Sequence, residues 1–168
     1  AYEEVGWGGY YAWDPVENAA LMPWLAATAF LHSVMVQEKK GMLKVWNVLL
    51  VVLAFCLSVF GTFLTRSGIV NSIHSFTESS IGPWFLGFIV FVTLASLGLV
   101  FYRLPVLRAK TKLESPVSRE AAFVGNNMLL LAATAIILLG TVFPLIVEAT
   151  SGEQITVGNQ AHPLIPRV

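Results

Sequence analysis

Aromatic side chains are concentrated near the N-terminus, within residues 7–24. Five of them are tryptophan or tyrosine, namely Trp7, Tyr10, Tyr11, Trp13 and Trp24. Gly8 and Gly9 interrupt this series and allow the backbone to bend and to approach a flat surface closely. Ring faces combined with a few polar groups suit a large, planar, amphipathic ligand. The same rings would also anchor the segment at a membrane surface, and the composition leaves both interpretations open.

Two histidines are candidate metal ligands. His32 lies inside an apolar stretch, where an ionisable side chain is rare and tends to be functional. His74 lies in a polar segment between two apolar stretches. Neutral imidazole is a common axial ligand of haem iron, but a histidine at the depth of His32 can also form a hydrogen bond to a neighbouring helix. We assign no role to His162, which lies in a proline-containing C-terminal tail.

Four apolar stretches are long enough to cross a bilayer, which requires about 20 residues. Together they make up a membrane region, 19–147, and they cover approximately 19–36, 43–64, 84–102 and 121–147. Unpaired backbone groups in lipid cost several kcal/mol each, so these spans must be helices. Asp14 and Pro15 form a suitable N-cap and first-turn pair for the first helix. The predicted fold class is therefore an all-α polytopic membrane protein with four transmembrane helices.

The composition excludes several other classes of protein. Hydrophobic residues make up 56% of the 168 residues and charged residues only 12%, whereas a soluble domain carries about 25% charged residues. The net charge of zero provides no basic field for nucleic acid. The single cysteine, Cys56, excludes an internal disulfide and a cysteine-rich metal site. The lipid bilayer is therefore an expected partner, and nucleic acid is not.

Basic residues are distributed unevenly around the four spans. Eight of the ten lysines and arginines lie in two connecting segments, 37–44 and 103–120. The positive-inside rule places both segments in the cytoplasm. The aromatic segment 1–18, the loop that contains His74 and the tail 148–168 are then expected on the outer side.

Two motifs resemble those of a known family. The stretch Trp-Gly-Gly-Tyr-Tyr-Ala-Trp-Asp-Pro-Val-Glu-Asn at 7–18 resembles the tryptophan-rich WWD signature of the haem-handling proteins of cytochrome c maturation. The stretch Phe-Gly-Thr-Phe-Leu-Thr-Arg-Ser-Gly-Ile-Val-Asn-Ser-Ile-His-Ser-Phe at 60–76 is similar to the segment that follows this signature in haem lyase subunits of the CcmF type. Tyr10 and Tyr11 stand where the family usually has tryptophan, and tyrosine can still stack. The resemblance covers residues 5–85 well and the later part more loosely.

The resemblance implies a haem-handling role. Members of the family are polytopic and several times longer than this chain, and their WWD segment holds delivered haem at the outer membrane face. By position, the resemblance implies that His74 is an axial ligand of the delivered haem. It likewise implies that His32 is an axial ligand of a permanent, b-type haem within the membrane. The other haem-binding residues that it implies are Trp7, Gly8, Gly9, Tyr10, Tyr11, Trp13, Asp14 and Trp24.

A reaction and a set of partners are implied as well. Two thiols of an apocytochrome c Cys-x-x-Cys-His site add to the haem vinyl groups and form thioethers. This chain would supply orientation, exclusion of water and control of the iron redox state, and no residue of it acts as a covalent catalyst. A haem chaperone, apocytochrome c and other maturation subunits are the implied partners in a haem lyase complex. The implied location is the inner (cytoplasmic) membrane of a bacterium, with the active face toward the periplasm.

Two other classes of function are compatible with a polytopic chain. A transporter or channel would place His32 in a proton or substrate path, and it predicts broken helices and polar pairs at membrane depth. A non-catalytic assembly scaffold would use the aromatic rings only as anchors. The concentration of polar residues outside the spans favours haem handling over transport.

Reporter fusions test the predicted orientation. We expect a cytoplasmic reporter to be active after Lys40 and after Lys112, because the basic connecting segments stay inside. A reporter that requires the periplasm should be active after His74. An outside signal at Lys40 or Lys112 would overturn the orientation, since the aromatic segment would then face the cytoplasm.

Overall fold

All regular structure in the described part of the chain is helical. The computed structural model describes residues 11, 13–66, 82–107 and 118–151. The helices are α1 (Pro15–Lys40), α2 (Lys44–Arg66), α3 (Gly82–Leu107) and α4 (Arg119–Ser151). Each helix is long and apolar enough to cross a membrane, and each contains one of the four predicted spans. The chain is an all-α, polytopic, integral membrane protein, as predicted. The assignment of 1–18 and 148–168 to the outer side stays a prediction.

Local sequence signals fix both ends of α1. The Asp14 carboxylate accepts a hydrogen bond from the Val16 amide at 3.0 Å, and the Glu17 carboxylate accepts one from the Asp14 amide at 3.4 Å. This reciprocal capping box, with Pro15 in the first turn, confirms the predicted helix start. At the other end, Gly41 adopts a left-handed conformation with φ of 67°, and its amide donates to the Gln37 carbonyl at 2.8 Å.

The connection between α1 and α2 is short. Only residues 41–43 separate the two helices. Besides Gly41, Leu43 has a positive φ, of 64°, a conformation that side-chain-bearing residues adopt uncommonly. The two helices therefore form a tight antiparallel hairpin.

The described helices lie in the order α4, α1, α2, α3. Helix α1 packs against both α2 and α4, α2 also packs against α3, and the described residues of α3 and α4 do not contact each other. The Lys40 ammonium and the Glu120 carboxylate lie 4.0 Å apart, so the end of α1 meets the beginning of α4. This contact brings the two basic connecting segments to the same end of the helices.

Small side chains allow the central helices to approach closely. The main core cluster contains Met22, Leu25 and Ala26 of α1 with Leu57 and Ile137. Where α1 meets α2, a Cβ atom added at Gly61 would lie 3.2 Å from the Ala19 carbonyl oxygen and 3.3 Å from the Ala19 Cβ. Close packing through small residues is the usual means of helix association in lipid, where no hydrophobic force drives helices together.

Polar side chains also lie in the helix interfaces. Five buried polar residues lie in the membrane region, 19–147, and a sixth, Asn18, directly precedes it. They are Asn18, Ser33, Asn47, Asn127, Thr134 and Thr141. Single polar residues within an apolar stretch barely change its average composition, although they can direct the packing of one helix face.

Substitution of Gly61 tests the α1–α2 contact. We expect Gly61→Leu to lower the free energy of unfolding by about 1–3 kcal/mol, because the Ala19 backbone cannot move away from the new side chain without displacing α1. Thermal unfolding of the detergent-purified protein, followed by circular dichroism, measures the change.

The matched control is Gly98→Leu, because a Cβ at Gly98 has no atom within 4 Å among the described residues. This variant should keep its stability or gain slightly, since glycine disfavours a helix. Equal destabilisation by the two substitutions would contradict the close contact at Gly61.

Candidate functional site

A hydrogen-bonded chain of side chains joins the segment before α1 to α4. The Tyr11 hydroxyl donates to the Asn18 side-chain oxygen. The Asn18 Nδ2 donates to the Thr141 hydroxyl at 3.0 Å, and that hydroxyl donates to the Ile137 carbonyl at 2.7 Å. Asn18 and Thr141 are almost completely buried, at 1% and 2% exposure. We call Tyr11, Trp13, Asp14, Asn18 and Thr141 the N-terminal cluster.

Tyr11 stays protonated in this cluster. Partial burial of its side chain, and then the nearby Glu17 carboxylate, raise the pKa of the Tyr11 hydroxyl above its ordinary value. The hydroxyl therefore remains a donor to Asn18 over the physiological pH range.

Trp13 packs against the helices. Its φ is 61°, an uncommon conformation for a bulky residue. The indole packs against the main core cluster, and a Cβ atom added at Gly140 would lie 3.5 Å from the indole Cζ2. Tyr11 and Trp13 contact each other edge to face, with ring centroids 5.9 Å apart. The indole Nε1 is buried and has no hydrogen-bond partner among the described residues.

Trp24 does not join this cluster. It lies ten residues after Asp14, which is about 15 Å along the helix. Its side chain is 61% exposed, whereas its neighbours Met22, Leu25 and Ala26 are buried in the interfaces. The structure therefore brings together Tyr11, Trp13 and Asp14 among the predicted site residues and separates Trp24 from them.

His32 is a residue of α1, and its side chain lies at the interface with the beginning of α4. Its Nδ1 is 2.8 Å from the Asn126 Nδ2, and its ring centroid is 5.9 Å from that of Phe123, with 35° between the planes. The ring is half-buried. We call His32, Phe123 and Asn126 the histidine cluster. Within the described ranges, no three His, Cys, Asp or Glu side chains gather to hold a metal ion. A single imidazole suits one axial position of a haem iron better than a polydentate metal site.

The two clusters lie at opposite ends of the α1–α4 interface. Asn18 and His32 are fourteen residues apart in α1, and their partners Thr141 and Asn126 are fifteen residues apart in α4. The nearly equal spacing describes an antiparallel pair in a constant register. At 1.5 Å per residue, the clusters are separated by about 21 Å along the helix axis.

The remaining predicted site residues fall outside the described part of the chain. They are Trp7, Gly8, Gly9, Tyr10 and His74, and their roles stay predictions.

Asn126 forms a hydrogen bond across the α1–α4 interface to His32. Both amide atoms of buried Asn127 lack a partner among the described residues. Asn18 and Thr141 were not singled out. Both are polar residues at positions that the 3.6-residue period of a helix places on a packed face, and this pattern could have identified them.

Known proteins similar to this chain belong to cytochrome c biogenesis. The Cytochrome C assembly protein family matches residues 1–70. The cytochrome c-type biogenesis protein CycK of Rhizobium meliloti is 49% identical over 159 residues, which are 94% of this chain and 23% of that protein. The cytochrome c-type biogenesis protein CcmF of Pseudomonas fluorescens is 46% identical over the same share of this chain and 24% of its own length. The solved structure of the cytochrome c haem lyase CcmF superposes with a TM-score of 0.65 at 40% identity, covering 88% of this chain and 21% of that one.

The chain is similar to the CcmF and CycK proteins over 94% of its length. The predicted resemblance is confirmed, and it extends well beyond residues 5–85, since these relatives match 94% of the chain. The chain spans about a quarter of the length of the two relatives.

The hydrogen-bonded chain at the N-terminal cluster can be tested at Thr141. We expect Thr141→Val to lower the free energy of unfolding by about 1 kcal/mol, because it leaves the buried Asn18 amide without its acceptor. Thermal unfolding in detergent measures the loss, and hydrogen exchange should increase at residues 11–18.

The control is Thr28→Val, which removes the same hydroxyl from a threonine that bonds only the Trp24 carbonyl of its own helix. We expect its stability to change by less than about 0.5 kcal/mol. If the two variants behave alike, the link between Asn18 and Thr141 does not hold the cluster together.

Proposed function

We propose that this chain handles haem in the maturation of c-type cytochromes, with a resident haem at the histidine cluster and a delivered haem at the aromatic segment. The observation that carries this proposal is the position of His32, a single imidazole held by Asn126 inside a helix interface. The family relationship supports it, because the relatives are named cytochrome c-type biogenesis proteins and the solved relative is named a haem lyase.

The histidine cluster fits one side of a b-type haem. The Asn126 amide occupies only the Nδ1 atom of His32, and the other ring nitrogen has no partner among the described residues. A cleft of about 350 Å³, lined by Arg119, Ala122, Phe123 and Asn126, adjoins the cluster. In this proposal His32 provides one axial ligand, and a bound haem supplies one-electron redox chemistry at its iron.

The aromatic segment would hold the delivered haem, which is a substrate. We assign its porphyrin contacts to Trp7, Gly8, Gly9, Tyr10, Tyr11, Trp13, Asp14 and Trp24, and its axial ligand to His74. The exposed ring of Tyr11 supports this assignment, whereas the assignment of Trp24 rests on the family resemblance alone. Trp13 supports it differently, because its packing against Gly140 of α4 fixes the chain directly before Asp14, the N-cap of α1.

The reaction that this arrangement would assist is the addition of two cysteine thiols to two vinyl groups. Each S–H adds across a C=C bond, so that one C–S and one C–H bond form and nothing is lost. The chain would contribute orientation of the delivered haem and exclusion of water. A haem chaperone would bring the haem, apocytochrome c would present the thiols, and other maturation subunits would complete the complex. We place the site at the periplasmic face of a bacterial inner membrane.

The transporter hypothesis receives mixed support. It predicted polar pairs at membrane depth, and the pairs Asn18–Thr141 and His32–Asn126 are of this kind. It also predicted broken helices, whereas the four described helices are continuous, even through Pro23, Pro105 and Pro144. Continuous helices support a rigid binding site more than an alternating-access path.

Histidine substitutions distinguish the two haem positions. We expect His32→Ala, made in the full protein in its native membranes, to remove the signal of the resident b-type haem from the optical spectrum. His74→Ala should leave that spectrum intact and weaken capture of delivered haem. Both should lower the yield of mature cytochrome c. The physical reason is depth. Asn18, at the predicted outer end of α1, is about 21 Å from His32 along the helix axis. Groups at these two depths are too far apart to bind the same iron.

The control is His162→Ala, which should leave both the spectrum and the cytochrome yield unchanged. Loss of the same haem signal in the His32 and His74 variants would contradict two separate positions. A His32→Ala protein with a full haem spectrum would return His32 to the role of an interhelical hydrogen-bonding residue.

A further inference from the structure

The amide of Asn126 can hold the His32 ring in either of two ways. The structure has the Asn126 Nδ2 at 2.8 Å from the His32 Nδ1. Rotation of the amide by half a turn exchanges Nδ2 for Oδ1 at nearly the same position. No other hydrogen bond of the Asn126 side chain is found among the described residues, and the amide borders the open cleft of about 350 Å³. Nothing in the described surroundings therefore fixes one orientation.

The two orientations require different tautomers of the histidine. When Nδ2 donates to Nδ1, the ring proton lies on Nε2, and the Nε2 lone pair is not available to a metal. When Oδ1 accepts from Nδ1–H, the Nε2 lone pair is free. The hydrogen bond on one ring nitrogen thus decides whether the other can act as a ligand.

We propose that Asn126 is the positioning residue for His32, and that its amide, by presenting either Nδ2 or Oδ1 to Nδ1, sets which ring nitrogen carries the proton. This inference rests on the proposed role of His32 as a haem ligand. The half-turn of one amide group converts the imidazole from the non-ligating tautomer to the ligating one.

The geometry of α4 suits this role. Phe123 and Asn126 are three residues apart, so they lie on the same face of the helix, and both contact the His32 ring. Asn126 constrains the ring at one nitrogen, and Phe123 constrains it at its face. Together they limit rotation of the ring, as partners of metal-bound histidines commonly do.

Asn127 provides a matched comparison. It is the same residue type, it is fully buried, and neither of its amide atoms has a partner among the described residues. Asn127→Leu therefore removes a membrane-buried amide next to the site without removing the bond to His32.

The experiment measures the resident haem in native membranes and in purified protein. Asn126→Leu should weaken haem binding by about 10–100-fold and raise the midpoint potential of the remaining haem, because Nδ1–H loses its acceptor. Asn126→Asp should lower the midpoint potential, because a carboxylate accepts the hydrogen bond more strongly and makes the imidazole a stronger electron donor. Asn127→Leu should leave affinity and potential unchanged.

A spectroscopic readout reports the tautomer without haem. Histidine labelled with ¹⁵N in haem-free protein should show His32 with its proton on Nε2 in the unmodified chain. Asn126→Asp, which can only accept, should move that proton to Nδ1.

Each outcome decides the proposal. Unchanged potentials in both Asn126 variants, or the same change in Asn127→Leu, would overturn the positioning role while leaving the haem assignment intact. If Asn126→Leu does not accumulate, the aspartate variant decides alone, since an unchanged potential and an unchanged tautomer there contradict the proposal. If His32→Ala retains the resident haem, the proposed function fails, and the inference about Asn126 fails with it.

Discussion

The α1–α4 interface depends on a constraint that lipid imposes: a polar side chain inside the membrane must find its partner within the protein. Asn18 reaches Thr141 near one end of this interface, and His32 reaches Asn126 near the other. Two contacts that far apart allow only one register of an antiparallel pair, because a shift by one helical turn would leave both pairs unmatched. The apolar contacts between them, such as those of Met22 and Ile137, fill the space but would tolerate other alignments.

The register in turn positions the groups that could act on a ligand. Trp13 can pack against α4 only because Gly140 lies opposite it, one position before the Asn18 partner Thr141. Phe123 can face His32 only because Asn126 is bonded to that ring. Trp13 and His32 are therefore both positioned by the same pair of helices. The separation between Asn18 and His32 is set by helix rise along α1.

Features that depend on neighbouring residues could be predicted from the sequence. The four spans follow from apolar length, and the start of α1 follows from Asp14, Pro15 and Glu17, which interact within one turn. Features that depend on contacts between helices could not. Nothing near His32 in the chain specifies Asn126, which is 94 positions away. The outward direction of Trp24 and the left-handed φ of Trp13 likewise follow from the packing of α1 against its neighbours.

The three-residue connection after Lys40 has a consequence for biosynthesis. Helix α1 is the least apolar of the four candidate spans, and α2 is markedly more apolar. A stretch that carries an asparagine and a histidine enters the bilayer less readily by itself than one rich in leucine and valine. Gly41 and Leu43 turn the chain tightly, so α1 cannot move far from α2. The favourable partitioning of α2 can thus bring α1 into the membrane with it, as one helical hairpin, while synthesis continues.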